Sequence, residues 1–285
     1  MTTLNAGQQT GAAHNAAWRP STLALGGRRA ATEIKAFNRD GLSLILILFF
    51  PIVMMALFGT VFGNDPSVGP PEAKVTMAQY YFPGMLALGT ILSGFQNLSG
   101  YVAADRFNGG IKRLAGTPLP MLSYFIGKMG VTLYLIVGQS IILVIGSTLF
   151  LGIDLPTTWG AWLTVAWLLL GATAAWAVVG TAFACIAKSA ESASTLAVMP
   201  VLILSFISGV YFQFTGLPEW LQQVANLTPL RWTASGLRSV FLPEQFELAE
   251  PGQTWALGMS AMVIGLWLVV GLILTRLTFK WPPQK

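Results

Sequence analysis

Six stretches of this chain, each about 20 residues or more, contain no Asp, Glu, Lys, Arg or His; the 16 Lys or Arg and 11 Asp or Glu side chains fall between them or at the ends. A charge at the middle of a bilayer-spanning helix costs about 2.5–3.5 kcal/mol on insertion scales. About 20 helical residues cross a hydrocarbon core about 30 Å thick. Charge-free windows of that length therefore predict membrane spans. Only 9% of residues are charged and 54% are hydrophobic, against about 25% charged in a soluble domain.

The expected fold is all-α and integral to the membrane. The predicted spans are Gly41 to Phe62, Gln79 to Ala104, Met129 to Gly152, Trp159 to Ala187, Ser192 to Phe212 and Thr254 to Thr275. Together they make residues 41–275 a six-span domain with no room for a soluble domain between spans. Residues 1–20 are polar and alanine-rich without an apolar core, so they read as a flexible tail rather than a cleaved signal peptide. His14, the one histidine, sits in that tail, and residues 276–285 form a second tail.

Lys and Arg are retained on the cytoplasmic side of spans. Alternate gaps place 13 of them on one side, and only Lys74, Arg231 and Arg238 on the other. Both termini are expected to be cytoplasmic, and six spans agree with that. Tyr80, Tyr81, Trp159, Trp162, Tyr211, Trp220 and Trp255 fall near outer ends, where aromatic rings favour the interface. Trp167 and Trp176 lie mid-span, which points to packing.

Residues 21–40 read as an amphipathic helix lying in the interface. Leu23, Ala30, Ile34 and Phe37 share one face; Arg28, Arg29, Lys35 and Arg39 supply basic groups for anionic lipid headgroups. The alternative is a linker carrying positive-inside charge. Residues 213–253 hold several prolines among apolar and aromatic residues, so short helices dipping into the outer leaflet, a re-entrant cap, are expected there.

Catalytic chemistry is hard to find. Gly127-Lys128 is followed by Met129, so no P-loop cradles ATP phosphates; one cysteine, Cys185, leaves no disulfide or cysteine-based zinc site. No metal site, resident cofactor or nucleic-acid partner is expected. Small residues recur in the spans (Gly84, Gly89, Gly94; Gly130, Gly138, Gly146), where they let helix backbones approach closely. Gln96, Asn97 and Gln139 are costlier in lipid, and either face a substrate path or subunit interface or act as interhelical hydrogen-bond glue. Residues 105–120 mix charge with Phe107, Ile111 and Leu114 at helical spacing, as a helix inserting into a partner's groove would. A solvated positive-inside loop is the other reading.

From about Arg28 to Arg238 the chain resembles the membrane subunit of a type 2 ABC exporter, the family of the daunorubicin-resistance and polysaccharide-export permeases. The resemblance rests on Phe49-Phe50-Pro51, Tyr81-Phe82-Pro83-Gly84, Gly127-Lys128, Ser208-Gly209-Val210-Tyr211-Phe212, Leu217-Pro218-Glu219-Trp220-Leu221, Asn226-Leu227-Thr228-Pro229-Leu230 and Leu237-Arg238. Its cytoplasmic pattern is matched by Arg106, Gly109, Leu114, Thr117 and Pro118. The chain departs at Phe107, where that pattern often carries Glu, and at Lys112, where an acid is frequent.

The resemblance implies a bacterial plasma-membrane permease that works as a pair, with a second copy or a paralogue. Two separate ATP-binding subunits would hold the ATP and Mg. Arg106, Phe107, Gly109, Ile111, Lys112, Arg113, Leu114, Thr117 and Pro118 would then form the coupling helix, and hydrophobic or amphipathic cargo (drug, lipid or lipid-linked glycan) would move outward. An ion-coupled secondary transporter or channel, working without an ATPase, is the rival expectation.

Overall fold

A backbone in lipid has no water to bond, so apolar segments satisfy their N–H and C=O groups internally as helix. In the computed structural model, which describes residues 21–62 and 68–281, the chain is helical throughout apart from turns and an isolated antiparallel bridge between Val68 and Val75. The expected tail over 1–20, with His14 and Arg19, lies outside the described residues, as does Lys285.

Helix α1 (Thr22–Phe37) begins at Ser21, whose hydroxyl accepts the Ala24 N–H. Helix α2 (Gly41–Phe62) contains Pro51. Helix α3 (Met77–Ile91) starts in a reciprocal cap between Thr76 and Gln79, passes into a π turn (Leu92–Asn97) and continues as α4 (Leu98–Phe107). A short helix α5 (Gly110–Ala115) follows, then α6 (Met121–Leu151), α7 (Trp159–Ile186) and α8 (Ala190–Ile207). Helices α9 (Glu219–Asn226) and α10 (Pro229–Phe241) and two 3-10 segments precede α11 (Leu257–Thr278).

Among the described residues four helices are long and apolar enough to cross a membrane by length and composition: Met121–Leu149 within α6, then α7, α8 and α11. The other two expected spans are represented by α2, whose shorter apolar stretch is Leu44–Leu57, and by α3 to α4, which the π turn divides.

Several boundaries differ from expectation for physical reasons. Helix α6 starts at Met121, well before Met129, because nothing after Pro120 breaks a helix and Lys128 is neutralised by ion pairs. Helix α8 stops at Ile207; Gly209 turns the chain at φ 77°, a left-handed conformation that glycine takes at least cost, and carries Tyr211 and Phe212 off the helix axis.

The small residues do pack helices closely. A Cβ on Gly180 would stand 2.8 Å from the carbonyls of Gly94 and Phe95, so α7 lies directly on the π turn. Gly130 faces Ala30 and Gly26 faces Ile126, which seats α1 along the start of α6. Trp176 is buried between Phe95 and Trp267, as a packing role requires. Ala30, Ile34 and Phe37 lie toward α6, whereas Leu23 is 72% exposed.

Candidate functional site

Polar and charged groups gather in three places: the two ends of the helix bundle and a groove on its side. At one end, α5 turns back from α4. Gly109, at φ 73°, breaks the helix between Phe107 and Ile111, so the helical spacing that would align their side chains does not persist. Ile111 is buried in the protein's own core with Val102, Tyr124 and Phe279, and Leu114 packs on the same cluster. They are not free to enter a partner's groove together with Phe107, which is 46% exposed. Lys112, Arg113, Thr117 and Pro118 are also exposed. Arg106 points inward, its guanidinium donating to the Ala184 carbonyl at the end of α7. The face left open on α5 is therefore basic, and the exposed Phe107 stands at the end of α4 just before it.

Beneath α5, Lys128 of α6 is almost wholly buried and bridges two carboxylates: Glu33 of α1 at 2.9 Å and Asp105 of α4 at 2.7 Å. Arg29 pairs with Glu33 at 2.8 Å, and the Tyr124 hydroxyl donates to Asp105 at 3.1 Å. The cluster balances two cations against two anions and ties α1, α4 and α6 into one unit. Of the basic residues expected on α1, Arg28 and Lys35 are exposed and Arg39 lies just past its end, whereas Arg29 belongs to this cluster. The sequence carried a local sign of it in the i,i+4 pair of Arg29 and Glu33; the partners across the fold had none.

At the opposite end, α10 is packed against α3 and α7, with Leu230, Ala234 and Leu237 fully buried. Two residues read as orienting charges, Arg238 also carrying part of the resemblance, prove buried: Arg231 donates to Glu250 at 2.7 Å and Arg238 donates to the same carboxylate at 3.1 Å. Arg238 also donates to the Gly209 carbonyl at the end of α8. Burial pushes the Glu250 carboxyl up, but the guanidiniums of Arg238 and Arg231 outweigh it and hold it below the usual carboxylate range.

On the side of the bundle, α2, α3, the π turn and α8 enclose a groove of about 380 Å³. Its walls are apolar, with Leu46, Phe50, Leu88, Leu92, Val201 and Leu202 among them, and its polar groups are Gln96, Asn97, Ser205 and Tyr211. The π turn brings Gln96 and Asn97 to this groove together, and the Asn97 amide nitrogen has no hydrogen-bond partner. Gln139 is elsewhere: fully buried on α6 against Gly89 of α3, with both amide atoms unpartnered. The three amides grouped by sequence thus occupy two environments.

A bundle of long apolar helices, with polar clusters at both ends and an apolar groove opening on its flank, defines a multi-pass membrane protein rather than a soluble enzyme. The family model of the ABC-2 type transporter matches residues 30–242, most of the chain, and the protein belongs to that family. It is 26% identical over 217 residues, 74% of this chain and 80% of the relative, to the inner membrane transport permease YadH of Escherichia coli K12, and equally to YadH of Shigella flexneri. It is accordingly the membrane component of an ABC transporter, a transport subunit that works with a separate ABC ATP-binding subunit and has no ATPase site of its own.

Proposed function

We propose that this chain is one of two permease subunits of an ATP-driven exporter in the bacterial inner membrane. In this reading α2, the α3–α4 unit, α6, α7, α8 and α11 are the six spans. Residues 1–20 and 276–285 lie in the cytoplasm, α1 lies at the inner interface, and residues 213–253 form the outer cap. The partner is a second copy or a paralogue, and two ATP-binding subunits hold the ATP and Mg.

The observation that carries the reading is how α5 is mounted. Its inner side is anchored by Ile111 and Leu114, and the chain on either side of it is tied to α7 through Arg106 and to α1 through the Lys128 cluster. Its outer side offers Lys112 and Arg113, and Phe107 is exposed at the end of α4 just before it. A helix seated so firmly passes a push at its exposed face to the helices it touches rather than absorbing it. The flanking groove, apolar with two amides, suits hydrophobic or amphipathic cargo such as a drug, lipid or lipid-linked glycan. Its open side, lined by α2 and α8, is where a second permease would meet this one.

Reversing the charge of Lys112 and Arg113 to Glu tests the proposal. The variant should stay in the membrane yet lose co-purification with the ATP-binding subunit and at least tenfold of ATP-dependent transport. Full transport by that variant, or uptake by the chain alone driven by an ion gradient, would refute it.

A further inference from the structure

Helix α11 ends at Thr278, but the chain just beyond it stays on the protein. Phe279 leaves the helix in an extended conformation, and Pro282 in the sequence disfavours a helical Trp281. Both rings fold back onto the start of α6. Ring centre to ring centre, Phe279 lies 4.9 Å from Phe125 and 6.1 Å from Tyr124, and Trp281 lies 5.8 Å from Tyr124. Phe279 is buried and Trp281 half-buried.

The last long helix does not need this segment to hold its place. The Thr275 hydroxyl donates to the Val178 carbonyl at 2.7 Å and Gly271 lies against Val178 and Val179, so α11 is already seated along α7. What the two rings hold is Tyr124. That residue is wholly buried, its hydroxyl donates to Asp105, and the Lys128 ammonium lies 5.5 Å from its ring centre. Ile111 and Leu114 of α5, and Cys185 and Ala187 at the end of α7, belong to the same packed cluster. The contacts close a ring around the mount of α5. Arg106 ties α4 to Ala184 of α7, and Thr275 ties α11 to Val178 of the same helix. Phe279 and Trp281 then join α11 to α6, and Tyr124 returns the ring to α4 at Asp105.

We propose that Phe279 and Trp281 are positioning residues for energy coupling: by bracing Tyr124 they keep α5 fixed to the helices that must move with it. Aromatic pairs favour particular offsets and tilts, so the seat is directional. With the ring of contacts closed, a push on α5 moves α4, α6 and α7 together; with it open, the displacement is absorbed at the seat. The proposal rests on the reading of α5 as the coupling helix, and it gives the two rings no contact with ATP or cargo.

The test uses the complete transporter, with its ATP-binding subunits, in lipid nanodiscs. Hydrogen exchange of the peptides that line the groove, residues 92–97 and 198–205, is compared without nucleotide and with ATP plus vanadate. Wild type should show a nucleotide-dependent change there. In Trp281→Ala that change should shrink by about threefold or more, a size that residues remote from both sites can exert on coupling, while the ATP-binding subunit still co-purifies. Trp281→Phe, which keeps a ring on Tyr124, should restore most of it. Should Trp281→Ala fail to accumulate, Phe279→Leu, which keeps an apolar side chain but removes the ring, carries the same expectation.

A merely structural role would lower the thermal midpoint and leave the response of the folded complex intact. A full-sized response in Trp281→Ala or Phe279→Leu therefore overturns the proposal, as does a Trp281→Phe variant no more responsive than Trp281→Ala. Loss of the ATP-binding subunit from Trp281→Ala also overturns it, because the segment would then serve docking. Failure of the underlying reading shows differently: wild type itself has no nucleotide response at the groove, which overturns both.

Discussion

Replacing Lys128 by Met should destabilise the protein more than any other single change at the α5 end. The ammonium has 7% of its side chain exposed and lies 2.9 Å from Glu33 and 2.7 Å from Asp105, themselves 13% and 24% exposed. At an effective dielectric of about 20 each contact has a gross attraction of about 6 kcal/mol, most of it offset by desolvation. Breaking a buried pair by removing one partner costs about 3–5 kcal/mol, chiefly through the charge left behind. Here Glu33 keeps Arg29 and Asp105 keeps the Tyr124 hydroxyl, so the loss is expected at about 2–3 kcal/mol. For a chain of this size that lowers the thermal midpoint by about 3–5 °C. The double variant Lys128→Met with Asp105→Asn restores neutrality, leaving Arg29 and Glu33 paired, and should recover more than half of the loss. Thermal unfolding in detergent reads both. A single variant within 1 °C (roughly 0.5 kcal/mol) of wild type, or a double variant as unstable as the single, would refute the account of Lys128 as the charge that balances this cluster.

Because the Glu250 carboxyl is held below the usual range, its contribution to stability is fully present above the unfolded value, about 4.3, and is lost as pH falls through the folded one. Midpoints should be flat from pH 7 to about 5 and fall below it, and Glu250→Gln should lower the midpoint at neutral pH while flattening the acid limb. Gly180→Leu places a side chain against the carbonyls of Gly94 and Phe95 and should cost about 1–3 kcal/mol by overpacking, seen as a reduced yield of folded protein in size-exclusion chromatography. Gln96→Leu removes one of the two amides that the π turn brings to the groove and should shift the range of substrates carried in ATP-driven vesicle assays, with abundance unchanged.

What the sequence made legible is what solvation alone decides. Helices α2, α3, α6, α7, α8 and α11 overlap the charge-free windows because lipid excludes charge from any helix that spans it, whatever its neighbours. The seats of Gly94 and Gly130 followed from the same logic, since close packing in lipid needs small residues. Pairings across the fold were not legible. Nothing local to Lys128 announces Glu33, and Arg231 and Arg238 looked like orienting charges until α10 folded inward onto Glu250. The grouping of Phe107 with Ile111 failed at one backbone angle, that of Gly109, which spacing along the chain does not encode. Gln139 parted from Gln96 and Asn97 because it faces Gly89 of α3 from α6, whereas the π turn, itself invisible in composition, carries the other two to the groove.

The π turn at Leu92–Asn97 acts as a one-residue insertion in an otherwise continuous rod. Each helical residue advances about 100° around the axis, so everything from Leu98 onward is rotated by about that angle relative to a straight continuation of α3. Deleting a single residue there would leave a rod of nearly the same length, yet it would swing Asp105 away from Lys128 and Arg106 away from Ala184. Two ends of one helix would then be out of phase by more than a quarter turn, and Leu98, Val102 and Ala103 would turn away from their own core along with the charges.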